Sequence, residues 1–187
     1  MVVATNKNAI RKNSVKISVP LITQRFTVKK NQRSIISIFT ALLIGFTMFS
    51  IANATTPEEN KKAGVEFLAK NAKKDKIITT ASGLQYEIIK EGTGASPQAT
   101  DTVKVQYKGT LLDGTVFDST DQHGGSATFP LDHVIKGWTE GVQLMKEGAS
   151  YRFFIPSELA YGKEGAGRAI GPNQALIFEI TLEKVIK

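Results

Sequence analysis

The sequence predicts an α+β domain: an antiparallel β-sheet wrapped around one short α-helix, preceded by an N-terminal helix and a signal segment. Three observations carry this. After Thr79, four segments alternate apolar and polar side chains, the period of a half-buried strand. Glycine turns separate them, with no regular helical crossovers, which argues against a parallel sheet. One stretch in that region has a helical period: in "GWTEGVQLMKEG", Trp138, Val142 and Met145 fall at i, i+4 and i+7.

Residues 1–54 form a basic n-region followed by a hydrophobic signal segment. The net charge of +7 suggests a nucleic-acid partner until it is mapped along the chain. Eight Lys and Arg stand in residues 1–54 with no acidic residue, which leaves 16 basic against 17 acidic side chains afterwards. The remainder is therefore almost neutral, and no nucleic-acid partner is expected. From Ser34 to Ala54 the chain carries no charge and closes on Ala52-Asn53-Ala54, the small-x-small pattern of a cleavage site. Cleavage near Ala54 would release a periplasmic protein; retention of the apolar Ile35–Ile51 would leave an inner-membrane anchor. With no cysteine in the chain, lipid attachment through a cysteine and disulfides are both excluded.

Residues 55–78 read as a lead-in helix, running to about Lys76. "TTPEE" supplies a Thr cap, a first-turn proline and acids near the positive end of the dipole. Val65, Phe67 and Leu68 give it an apolar stripe, and Lys70, Lys73, Lys74 and Lys76 suit its C-terminal end. The plainest reading is a solvated lead-in; the alternative is a partner or dimer contact. Residues 79–187 form the main domain, with strands at "LQYEIIK", "TVKVQYKGTL", "YRFFIP" and "ALIFEITLEKV". Gly92-Thr93-Gly94, Asp113-Gly114 and Glu147-Gly148 mark the turns.

The usual signatures of covalent or metal chemistry are missing. Asp118, Ser119 and His123 lie close together, but without a G-x-S-x-G elbow. His123 and His133 have no metal-ligand spacing, and "GKEGAG" lacks the G-K-[ST] of a phosphate cradle. No metal and no cofactor are expected. What stands out is aromatic residues beside glycine turns: Tyr107, Phe117, Trp138, Tyr161 and, in the last strand, Phe178. Singly, each is most simply core. Together with Val134-Ile135 and Ile170-Gly171-Pro172 they fit a shallow apolar cup.

The strings "VQYKGTLLDGTVFDST", "FPLDHVIKGWTEGVQLMKEG", "SELAYG" and "IGPNQALIFEITL" resemble the FKBP-type peptidyl-prolyl cis–trans isomerases. The likeness runs from about Ser82 to Lys187. "SGLQY" and the Lys-rich helix before it resemble the exported bacterial branch, including the macrophage infectivity potentiator type. That resemblance implies isomerisation of X–Pro bonds in exported proteins, with proline-containing polypeptides as partners and macrolides of the rapamycin and tacrolimus type as inhibitors. It implies a catalytic cup of Tyr107, Phe117, Asp118, Ile135, Trp138, Tyr161 and Phe178, with Val134, Phe129 and Ile170 in substrate binding. Trp138 would be the floor, and Tyr107, Phe117 and Phe178 the walls. The Ile135 N–H and Tyr161 hydroxyl would bind carbonyls, Asp118 would hold Tyr107 or Tyr161, and Ile170 would cover the rim. Relatives with a longer N-terminal helical region dimerise through it; this chain has residues 55–78 there. Two departures, Ala127 and the short Asp132-His133 segment, are expected to widen one side of the cup and weaken macrolide binding. The alternative function is a periplasmic chaperone or proline-binding module with little turnover.

For Phe117 and Asp118 both to face the cup, the strand must bend, because neighbours on a regular strand point to opposite faces.

Overall fold

The computed structural model describes residues 55–187, and the expected signal segment lies outside the described residues. Seven strands build one antiparallel sheet: β1 (Ile78–Thr79), β2 (Gln85–Lys90), β3 (Thr102–Thr110), β4 (Val116–Ser119), β5 (Ala127–Pro130), β6 (Ser150–Ile155) and β7 (Leu176–Ile186). The order is β1-β2-β6-β7-β3-β4, with β5 also paired to β3. Helix α1 (Pro57–Asn71) precedes the sheet and α2 (Lys136–Gln143) lies between β5 and β6.

The alternating pattern sets the inner face. On β3, Val103 and Val105 are fully buried while Lys104, Gln106 and Lys108 are exposed. On β7, Leu176, Phe178, Ile180 and Leu182 point inward, joined by Trp138, Val142 and Met145 from α2 and the turn after it. Three fully buried residues, Leu84, Leu131 and Ile155, close the core. The helix reaches the sheet closely because its facing positions are glycines. A Cβ on Gly137 would stand 2.6 Å from Ile155 Cγ2, and one on Gly141 2.6 Å from Phe153 Cε1. Both distances lie well inside van der Waals contact.

Strand β6 departs from strict alternation, since Phe153, Phe154 and Ile155 are all buried. Successive side chains leave opposite faces, so both faces are covered there. Phe153 meets α2, while Phe154 packs under Phe67 of α1, with ring centroids 5.8 Å apart.

Helix α1, expected as a lead-in, is exposed over most of its length and docks along one face. Its start is as expected: Thr56 Oγ1 accepts from Glu59 N–H at 3.2 Å, and Thr56 N–H donates to Glu59 Oε2 at 2.8 Å, a full capping box. Its docking face combines small and polar residues with the Phe67 ring. Asn60, Gly64 and Asn71 are buried, whereas Val65 of the anticipated apolar stripe is 62% exposed. Asn60 Nδ2 donates to the Pro172 carbonyl at 2.9 Å, and Asn71 Nδ2 donates to Gln85 Oε1 at 3.0 Å. Gln85 Nε2 returns a bond to the Leu68 carbonyl at 2.9 Å. The helix ends at Asn71, short of the expected Lys76. Beyond it, Lys73, Lys74, Asp75 and Lys76 offer nothing apolar to bury, and a helix turn without tertiary packing is barely stable.

If polar contacts hold α1 to the sheet, Asn60→Ala should destabilise the fold by about 0.5–1.5 kcal/mol, because the half-buried Pro172 carbonyl loses its donor. A lowered urea midpoint checks this; an unchanged midpoint would mean the helix is not held through Asn60.

Candidate active site

Strand β4 carries the irregularity that the Phe117–Asp118 pair requires. Gly109 of β3 pairs with Asp118, but the next residue, Thr110, pairs with Val116, so Phe117 is an extra residue in β4. Such a β-bulge kinks the strand and re-aims its side chains. Phe117 and Asp118 consequently line the same hollow. The bulge sits opposite Gly109 for a steric reason: a Cβ there would stand 2.6 Å from Phe117 Cζ and 2.8 Å from Phe178 Cε1.

The hollow has a volume of about 390 Å³ and opens between β3, β4, β5, β7, the start of α2 and the loop after β6. Its lining comprises Tyr107, Phe117, Asp118, Phe129, His133, Val134, Ile135, Trp138, Tyr161 and Phe178. Trp138, 4% exposed, lies at the centre of the aromatic group. The Tyr107, Phe178 and Phe129 rings approach it at centroid distances of 5.2, 5.3 and 5.9 Å, all within 10° of perpendicular. Phe117 meets Phe178 at 5.4 Å and 83°. These edge-to-face contacts suit the quadrupoles of the rings and fix their orientations. The buried Trp138 Nε1–H meets no oxygen or nitrogen acceptor among the described residues; the ring faces around it are weak acceptors.

One carboxylate interrupts this apolar lining. Asp118 Oδ2 accepts the Tyr107 hydroxyl at 2.6 Å, and Asp118 Oδ1 lies 2.8 Å from His123 Nε2. Partial burial pushes the Asp118 carboxyl up, but hydrogen bonds from Tyr107 and His123 outweigh it and hold the group below its ordinary value. Burial first, and then the bond to Asp118, raise the Tyr107 phenol well above its usual range. Tyr161 is raised by burial and by the Asp118 charge. Tyr107, rather than Tyr161, is thus the tyrosine that Asp118 holds. Ile135 is the N-cap of α2, so its N–H stands ahead of the helical hydrogen-bond ladder.

Nine of the ten residues singled out in the sequence meet in this hollow, and Ile170 does not. Expected at the rim, its side chain is buried in the core at 6% exposure. The cause is a two-bond bridge, Ala166 N–H to Ile170 O at 2.8 Å and Ile170 N–H to Ala166 O at 3.1 Å, which folds the loop back on itself. Two histidines outside that set stand at the site, His133 in the lining and His123 beside it. His133 lines the side expected to be widened, and His123 bonds Asp118. Their only signal in the sequence was proximity: His123 to Asp118, and His133 to Val134.

The comparisons fit this geometry. The profile for "FKBP-type peptidyl-prolyl cis-trans isomerase" matches residues 94–183, and that for the "domain amino terminal to FKBP-type peptidyl-prolyl isomerase" matches residues 22–88. A crystal structure of a peptidyl-prolyl cis-trans isomerase from Pseudomonas syringae pv. tomato is 40% identical, with a TM-score of 0.67; the match covers 71% of this chain and 98% of that one. The chain belongs to the FKBP-type isomerase family. Within that family it is 57% identical over 126 residues to the probable isomerase FkpA of Neisseria meningitidis, covering 67% of this chain and 46% of that protein. The outer membrane protein MIP of Legionella longbeachae is 54% identical over 130 residues, covering 70% and 56% respectively. The crystal structure of FkpA from Escherichia coli has a TM-score of 0.67 at 42% identity and covers 70% of this chain and 61% of that one. The chain thus spans about half the length of the curated relatives it matches.

Two tests address the site directly. Gly109→Ala should force the Phe117 and Phe178 rings apart and change the aromatic ring-current shifts in an NMR spectrum; an unchanged spectrum would mean the bulge has room to spare. Tyr107→Phe removes a bond that lowers the Asp118 pKa, so the Asp118 carboxyl should titrate at higher pH. Because the folded-state value is depressed, its stabilising contribution is present above the unfolded value and lost as pH falls through the folded one. In the variant that contribution should be smaller and its loss complete at a higher pH, as read from ¹³C NMR of the carboxyl carbon and from acid unfolding.

Proposed function

We propose that the chain is a peptidyl-prolyl cis–trans isomerase acting on proline-containing polypeptides, and that the aromatic hollow is its active site. The observation that carries this is the perpendicular aromatic enclosure around Trp138, apolar but for Asp118 and His133.

An X–Pro bond favours trans by only about 0.5–1 kcal/mol, yet it isomerises over tens to hundreds of seconds. The obstacle is the partial double-bond character of C–N, with a barrier near 18–20 kcal/mol. No bond to another atom is made or broken, so the reaction asks for no nucleophile. An acceleration of about 10⁴-fold requires only about 5–6 kcal/mol of preferential binding to the twisted amide. Twisting removes resonance and leaves the carbonyl oxygen less negative. The twisted form is less polar than the planar one, so an apolar hollow favours it while water favours the ground state.

In this reading Trp138 carries the proline ring, and Tyr107, Phe117 and Phe178 wall it in, with Phe129 and Val134 extending the apolar contact. The Ile135 N–H and the Tyr161 hydroxyl bind carbonyls on either side, so one half of the peptide is held while the other rotates. Asp118 acts through Tyr107, holding that ring by its hydroxyl. Macrolides of the rapamycin and tacrolimus type would compete for the same hollow, with His133 filling part of the side they use. We place the protein in the periplasm, on the strength of the charge-free Ser34–Ala54 stretch with its small-x-small end. Among the described residues no helix is long and apolar enough to cross a membrane.

A proline-limited refolding assay tests the activity. Phe117→Ala and Trp138→Ala should each lower kcat/KM by at least about tenfold, the loss of a transition-state contact of about 1.4 kcal/mol. Assistance to refolding that survives both variants would instead identify a holdase.

A further inference from the structure

His123 belongs to neither the apolar lining nor the core, yet the fold fixes its position from two directions. It ends a 3₁₀ turn, Thr120–His123, that closes on Gly124 with φ of 83°. The turn hangs from Tyr107: the Tyr107 N–H donates to Thr120 Oγ1 at 3.2 Å, and Thr120 Oγ1 donates to the Tyr107 carbonyl at 3.3 Å. Thr120 is 2% exposed, so this anchor is shielded from water. The far end of the turn then returns His123 Nε2 to Asp118 Oδ1 at 2.8 Å, while Asp118 Oδ2 takes the Tyr107 hydroxyl at 2.6 Å. Tyr107 is thereby held at both ends, by its backbone through Thr120 and by its hydroxyl through His123 and Asp118.

We propose that His123 is a positioning residue of the isomerase site: its ring N–H pins one oxygen of Asp118, and this aims the other at the Tyr107 hydroxyl and sets the Tyr107 wall against Trp138. This rests on the reading of the hollow as an isomerase site. A carboxylate bonded through one oxygen alone can swing about its Cβ–Cγ bond; with both oxygens engaged, its plane is set. The groups facing Asp118 are Tyr107 from β3, His123 from the 3₁₀ turn, Tyr161 from the loop after β6 and its own neighbour's backbone at Ser119. His123 is the one among them that can carry positive charge. Its side chain is 64% exposed and that of Asp118 40%, so solvent screens the pair and its effect on rate is modest.

The experiment uses the full chain, with His123→Ala and His123→Gln; Gln keeps an N–H donor at a similar reach. His123→Ala should lower kcat/KM about two- to fivefold, mainly through kcat, and should raise the Asp118 titration midpoint followed by ¹³C NMR. His123→Gln should recover the rate and part of the midpoint. An active wild type whose His123→Ala variant keeps both its rate and its Asp118 midpoint overturns the positioning role alone. So does a His123→Gln variant as slow as His123→Ala. A wild-type chain without turnover overturns the isomerase reading, and the positioning role with it.

Discussion

One extra residue in strand β4 is the constraint on which the site depends. A regular strand would turn either Phe117 or Asp118 away, because adjacent side chains alternate. With Phe117 inserted opposite the step from Gly109 to Thr110, both face one hollow. The ring supplies a wall, and the carboxylate supplies the acceptor that holds Tyr107. The insertion is possible only because β3 presents a hydrogen at position 109, where a methyl group would collide with both Phe117 and Phe178. Bulge and glycine are two halves of one device.

The same device recurs where the sheet changes what it faces. In β7, Lys104 pairs with Lys184 and Val105 with Leu182, so Glu183 is the extra residue. Leu182 and Val185, three positions apart, can therefore both be buried. A flat sheet could not close around a two-turn helix; bulges raise the local twist and let it curve. Glycines at 137 and 141 then bring α2 close enough for Trp138, in its first turn, to meet three rings. Aromatic residues from β3, β5, α2 and β7 thus orient one another, and the hollow's shape is set without any charged pair in its floor.

Asp118 is the carboxylate of the lining, bonded on one side to a phenol and on the other to an imidazole. Both histidines of the chain stand at this site, each beside an aspartate: His123 beside Asp118 at 2.8 Å and His133 beside Asp132 at 3.6 Å. On the far face of the sheet, α1 is bound by amide contacts and by the Phe67 ring on Phe154. Its Asn60 reaches the Pro172 carbonyl in the same loop segment that begins with Tyr161, so the lead-in helix braces the connection that carries one of the lining tyrosines.

The sequence by itself determined four of the seven strands, the short helix and the α+β class, and its aromatic residues beside glycine turns, with Val134-Ile135, marked seven of the ten residues of the hollow; the family resemblance added Asp118 and Phe129. Strands, helix and turns are local: alternation, helical period and turn glycines are written over a few neighbouring positions. Tertiary structure decided the rest. Ile170 went to the core because a bridge to Ala166 folds its loop inward, and α1 docked through Asn60, Gly64, Phe67 and Asn71 because the Pro172 carbonyl, Ala175, the Phe154 ring and the Gln85 amide face it. His123 joined Asp118 because Thr120 is tied to the Tyr107 backbone. Each outcome turns on which atoms distant parts of the chain offer one another. A pattern of apolar and polar letters does not encode that, since a buried amide with a partner and an exposed amide without one are spelled the same way.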